Sequence, residues 1–154
     1  MASGKNSSDL EEYKMVFHEK WVNWVLETID KECVAKIGRR CYQDSQWVKE
    51  LPSYSGGPDI TKIICFLKET LPNFLFSPTQ GGFIVDLNET ECFCPLVQNK
   101  LTSNPNLCFC TKTFDQALYE QLLNIPVEIK ILKTLLNGDD RCTFEVRLKA
   151  TGMG

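Results

Sequence analysis

Two Cys-Phe-Cys triplets, Cys92-Phe93-Cys94 and Cys108-Phe109-Cys110, and a fifth thiol at Cys142 are the residues of this chain best suited to chemistry. In an extended segment, side chains alternate faces, so each triplet presents two thiols on one side and a phenylalanine on the other. Thirteen residues lie between the pairs, enough for a loop that returns one pair beside the other. Three chemistries are open to such a cluster. It can bind a thiophilic metal, cycle as a redox dithiol, or pack as small buried hydrophobes, since free cysteine is among the most buried residue types. Zinc is held tetrahedrally by four thiolates, or by three and another ligand. On a straight strand, i and i+2 side chains stand ~7 Å apart, farther than two thiolates each ~2.3 Å from one metal. Either the strand bends near Pro95, or one cysteine of each pair joins Cys142. Cys92, Cys94, Cys108, Cys110 and Cys142 are therefore the metal candidates, with zinc as the expected cofactor.

No second catalytic constellation accompanies the thiols. A thiol nucleophile needs a base, and His18 is the single histidine. It sits beside Glu19, off the apolar stripe of its helix, and reads as a solvated side chain. The glycine pairs Gly56-Gly57 and Gly81-Gly82 match no phosphate cradle. The adjacent acids Glu11-Glu12 and Asp139-Asp140 suit a helix start and a turn. No catalytic residue is assigned.

The elements that must position the thiols follow from periodicity. The 154 residues are the length of one domain, with 1–8 a polar, disordered start and 9–150 a single cysteine-rich unit. A long helix is expected from Ser8 or Asp9 to about Ile37. Leu10, Tyr13, Phe17, Trp21 and Trp24 form one apolar stripe, and Val22, Val25, Ile29, Cys33 and Ile37 another. Two stripes imply a deeply packed helix. Gly38 is a break or a point of close packing, and Arg39 to Tyr42 continue as a second helix. A short helix runs from Asp59 or Thr61 to Leu71, before Pro72. Residues 73–81 read as irregular and Phe83–Leu87 as a strand. A helix follows from a cap at Thr113 to about Leu123. Val127–Leu132 and Cys142–Leu148 alternate as paired strands around the turn Asn137-Gly138-Asp139-Asp140. Helices first and strands later make an α+β domain, N-terminal helices packed on an antiparallel sheet.

Composition narrows the partners. The net charge of −3 gives no reason to expect nucleic acid. No apolar run approaches the ~20 residues of a membrane span, and no secretory signal is visible. Eight cysteines without such a signal point to a cytoplasmic protein with reduced thiols. Trp21, Trp24 and Phe83 are large, apolar and placed on elements expected to face each other. They are candidates for the wall of a pocket between the first helix and the sheet, and equally for an ordinary core.

The run Gly138-Asp139-Asp140-Arg141-Cys142-Thr143-Phe144-Glu145-Val146, after a strand from Val127, resembles the C-terminal signature of 4-vinyl reductase domains of the hydrocarbon-binding type. Ile37-Gly38-Arg39-Arg40-Cys41 is similar to an element of the related L-2-amino-thiazoline-4-carboxylic acid hydrolase-like family, as are Cys94-Pro95 and Cys108 to Cys110. The resemblance covers roughly residues 15–149. It implies an α+β ligand-binding fold shared with the TRAPP trafficking subunits, often dimeric, in which the cysteine after the turn can ligate zinc. Regulators of the 4-vinyl reductase type carry a further cysteine eight residues earlier, where this chain has Thr134. Cys94, Cys108 or Cys110 would then supply the missing ligand. The function implied is non-catalytic binding or sensing of a small apolar molecule. The alternatives are a cysteine- or metal-dependent hydrolase and a homodimeric interaction module.

Overall fold

The computed structural model describes residues 7–92 and 94–149, so residues 1–6, Phe93 and residues 150–154 lie outside the described set, as do the side chains of Ser7, Ser8, Asp9 and Tyr13. Helix α1 spans Ser7–Thr28 and α2 Lys31–Asp44. Helix α3 (Ile60–Thr70) precedes strands β1 (Leu75–Thr79) and β2 (Gly82–Asp86). A single helical turn, α4 (Pro95–Gln98), leads to α5 (Cys108–Leu123), then β3 (Val127–Lys133) and β4 (Thr143–Leu148). The four strands form one antiparallel sheet in the order β1-β2-β4-β3. The α+β class read from the sequence is the architecture found.

The sheet has one apolar face. Phe83 and Val85 of β2, Phe144 and Val146 of β4, and Val127 and Ile129 of β3 point inward and are buried. Glu128, Lys130 and Arg147 alternate outward and are exposed, as a one-sided antiparallel sheet requires. Helices α3 and α5 cover the apolar face through Ile63, Ile64, Leu67, Leu118, Tyr119 and Leu122. Phe83 sits at the centre, with Phe76 at 5.9 Å and Tyr119 at 5.5 Å between ring centroids. That pairing places Phe83 in the core.

The expected single first helix is two. Asp30 ends the continuity: its backbone is extended and its carboxylate accepts the Cys33 amide at 2.8 Å, capping α2. Gly38 lies within α2, where it lets the helix close on α5. A methyl group there would collide with the Cys110 carbonyl and the Thr113 hydroxyl. Thr113, expected as a cap, is inside α5 and donates its hydroxyl proton to the Ala35 carbonyl at 2.6 Å. Gly38→Val is therefore expected to destabilise the chain by about 1–3 kcal/mol, the usual cost of overpacking, read as a lowered midpoint in urea. An unchanged midpoint would show that the α2–α5 contact yields freely.

The sequence also hid a strand. Residues 75–79 form β1 despite Pro78, which an edge strand tolerates. Finally, α1 is not deeply packed. Leu26 is buried, but Trp21 and Trp24 are 56% and 55% exposed. Val22, Val25 and Ile29 of the second stripe are partly buried, whereas Leu10 and Trp24 of the first are about half exposed.

Candidate functional site

The second Cys-Phe-Cys triplet opens α5 and is helical, not extended. Two residues along a helix rotate the side chain by about 200°, so Cys108 and Cys110 point to different sides. Cys108 faces the sheet end and Cys110 faces α2. In the first triplet, Cys92 lies in a loop and Cys94 immediately precedes α4, whose first residue is Pro95. The result sorts the five candidate thiols into four and one. Cys92, Cys94, Cys108 and Cys142 line one void of about 20 Å³, walled otherwise by Leu87, Leu107, Thr111, Leu136 and Phe144.

Cys142 is buried and anchored at that void. The Leu135 amide donates to its sulfur at 3.4 Å, and its carbonyl accepts the Leu87 amide at 3.1 Å. The preceding turn is tied down by Arg141, whose guanidinium holds Asp86 of β2 at 2.8 Å, and by Asp139, which accepts the Thr134 amide at 2.8 Å. Gly138 supplies the left-handed φ of +86° that reverses the chain. Thr134 is fully buried, and its side chain hydrogen-bonds Cys108. The position where the resembling regulators carry a cysteine therefore adjoins Cys108.

Burial dominates the acidity of these thiols. It pushes Cys108 up to about 11, with Thr134 offsetting part and Cys142, Cys92 and Cys94 adding repulsion. Cys92 and Cys142 are raised by the same cause. Without a cation, burial favours the neutral thiol at Cys92, Cys108 and Cys142. As a donor set, four soft sulfurs around one void suit a thiophilic ion, which would ionise them. As placed, no three His, Cys, Asp or Glu among the described residues stand at metal-holding geometry.

Cys110 belongs to another site. It faces Cys41 of α2 and is pushed up to about 12, first by burial and then by Cys41, Cys94 and Asp115. Both Cys41 and Cys110 line a cavity of about 640 Å³ between α1, α2 and α5. Val22, Val25, Leu26 and Ile29 of α1 form one wall, and Val34 and Ile37 of α2 another. Phe114 and Leu118 of α5 form the third, with Leu87, Leu96 and Leu107 beneath. Trp21 and Trp47 stand at its edge, Trp47 stacked on Phe114 with centroids 6.2 Å apart. Of the three pocket candidates, Trp21 lines this cavity. Trp24 points outward, and Phe83 is in the core. The cavity lies on the helical side of the domain, not against β3 and β4 as the sequence suggested. Its α5 wall was legible as Cys110, Phe114 and Leu118 at helical spacing, but only with the helix start moved to Cys108.

One carboxylate interrupts these walls. Asp115 of α5 lines the cavity and makes no hydrogen bond or ion pair among the described residues. By area it is partly exposed, yet protein surrounds it on all sides. We resolve the two facts by its position: the surface left to it is the cavity's own. Burial raises its carboxyl from 3.8 to about 7. His18 is exposed on α1 and lines neither site.

No family model and no curated protein matches this sequence. Among solved structures, the chain is similar to the crystal structure of a trafficking protein particle complex subunit 3 from Naegleria fowleri covalently bound to palmitic acid. The two share 19% identity over 90% of this chain and 95% of that one, with a TM-score of 0.48. A likeness that distant transfers neither ligand nor residue. No helix among the described residues is long and apolar enough to cross a membrane.

Proposed function

We propose that this chain is a non-catalytic domain that binds a small apolar molecule in the cavity between α1, α2 and α5, braced by a cysteine-ligated zinc. The observation that carries the reading is the cavity itself. Its 640 Å³ falls within the ~300–1,000 Å³ typical of small-molecule sites, and its walls are aliphatic and aromatic with one carboxyl. The four-thiol cluster abuts it, because Cys94, Leu87, Leu107 and Thr111 line both. A metal there would fix the loop that floors the binding site. Eight free thiols fit a reducing, cytoplasmic setting.

The hydrolase alternative is disfavoured by the same thiols. A cysteine nucleophile works through a lowered pKa, and Cys92, Cys108, Cys110 and Cys142 are all raised. The single histidine is on the outside of α1 and lines neither site.

Intrinsic fluorescence tests the binding reading directly. Of the three tryptophans, Trp21 and Trp47 line the cavity. In a Trp24→Phe background, octanol is expected to shift the remaining emission saturably. Val25→Phe, which places a ring inside the cavity, is expected to weaken that binding roughly tenfold or more, the equivalent of 1.4 kcal/mol. Absence of saturable binding to the unfilled cavity would sink the reading.

The outer stripe of α1 favours a second role beside the first. Leu10, Phe17 and Trp24 are each about half exposed, at 48%, 47% and 55%. Apolar side chains in a row on one helix suit a symmetric helix-on-helix dimer. Sedimentation at micromolar concentration is expected to give a dimer, and Trp24→Glu a monomer. A monomeric wild-type chain would remove this role and leave the cavity reading intact.

A further inference from the structure

We propose that the cavity selects an apolar molecule carrying a protonated amine, which pairs with Asp115. The inference rests on the binding reading above and deepens it by naming the chemistry of the ligand's head. Three observations carry it. First, Asp115 occupies a position that helical spacing assigns to an apolar residue: Thr111, Asp115 and Leu118 fall on one face of α5, and all three line the cavity. Second, it has no hydrogen-bond or ion-pair partner among the described residues, and a buried polar group without one carries the full cost of its desolvation. Third, no lysine, arginine or histidine lines the cavity. The other ionisable groups on its walls are thiols, Cys41 of α2, Cys94 before α4 and Cys110 of α5. An ionised Asp115 thus lacks any counter-charge that the protein could supply, and a ligand ammonium would provide one at the end of an otherwise apolar chain.

The arrangement also discriminates. A ligand carboxylate would bring a like charge to a desolvated carboxyl, which disfavours it. A neutral alcohol would gain the apolar contacts and a weaker hydrogen bond. An ammonium gains a charge-assisted hydrogen bond in a site with little competing water.

Octylamine, octanol and octanoate share one chain and differ only at the head. At mildly alkaline pH, where Asp115 is ionised and the amine still protonated, octylamine is expected to bind roughly tenfold to a hundredfold more tightly than octanol, the range of a charged hydrogen bond. Octanoate is expected to bind least. In Asp115→Asn, which keeps the shape of the side chain, the preference for the amine over octanol should vanish. Equal binding of amine and alcohol by the wild type would overturn the proposal, as would an amine preference that survives in Asp115→Asn. Either result leaves octanol bound and the apolar-ligand reading standing. Failure of all three probes would instead remove the cavity as a site, and this proposal with it.

Discussion

Protein made in zinc-replete cells and purified without chelator is expected to carry one zinc per chain, held by Cys92, Cys94, Cys108 and Cys142. The reason is convergence from three distant parts of the chain. A loop after β2, the first turn of α5 and the residue before β4 bring four sulfurs to one void. Burial opposes ionisation of Cys92, Cys108 and Cys142, and a bound Zn²⁺ reverses that balance. Binding must therefore release protons, so metal affinity falls as the pH falls. Among the described residues, those from Asn88 to Cys94 have no regular backbone pairing of their own. Its order would be coupled to the metal, and structural zinc contributes on the order of 10 kcal/mol in small domains that depend on it. Cys108→Ser and Cys142→Ser are expected to lose zinc and to speed amide exchange across 88–107 together. Cys110→Ser and Cys41→Ser should keep both, since those thiols face the other cavity. Elemental analysis of the four variants, with hydrogen exchange, decides the matter. Zinc retained by Cys108→Ser but lost from Cys110→Ser would reverse the assignment, and unchanged exchange in Cys142→Ser would leave that residue a core thiol.

The contrast between the two cysteine pairs explains how far the sequence could be read. The fold class followed from alternation at 127–132 and 142–148 and from the turn at Gly138, all local signals that tertiary packing did not override. The fate of the thiols did not follow, because it depended on one assignment of secondary structure. As strands, both pairs send their thiols the same way; as a helix, Cys108 and Cys110 diverge by half a turn. Cys-Phe-Cys fits either state, and the helix was decided by the stretch beyond it, where Phe114, Leu118 and Leu122 must reach the core. The break at Asp30 was available in the sequence: an aspartate ahead of Lys-Glu-Cys is a plain N-cap signal. It was masked by the apolar stripe that runs on to Ile37. Trp21 and Trp24, three residues apart, lie on neighbouring arcs of α1, and no pattern in the sequence says which one meets the rest of the chain. The cavity was the least legible feature. Whether Val25, Ile29 and Ile37 touch each other or line an empty volume depends on the spacing between helices, which Gly38 sets by bringing α2 against α5.

Stability should fall as the pH rises from about 4 to about 7, and Asp115 should be the cause. In the unfolded chain its carboxyl titrates at the ordinary 3.8; in the folded chain burial raises it to about 7. Between those values the folded state holds a proton that the unfolded state has released. Unfolding therefore gives up a proton, and the stability this provides is complete below 3.8 and lost as the pH climbs through the folded pKa. At 1.36 kcal/mol for each unit, the window is worth up to about 4 kcal/mol. Asp30 and Asp140 run the other way. Backbone and side-chain hydrogen bonds from Cys33 lower the first, and Lys133 lowers the second, so what they contribute is lost only below the ordinary carboxylate range. Their effect cannot be confused with a loss between 4 and 7. Asp115→Asn removes the ionisation while keeping the side chain's shape. Urea unfolding across that window is expected to show a decline in the wild type and a flat line in the variant, which should be the more stable of the two above pH 7. Parallel curves would show that water reaches the carboxyl and that the cavity is wetter than its walls suggest. Adding octylamine should then stabilise the wild type at alkaline pH by more than it stabilises Asp115→Asn, which binds it through apolar contacts alone, because the counter-charge brought by the ligand removes a penalty that the substitution has already removed.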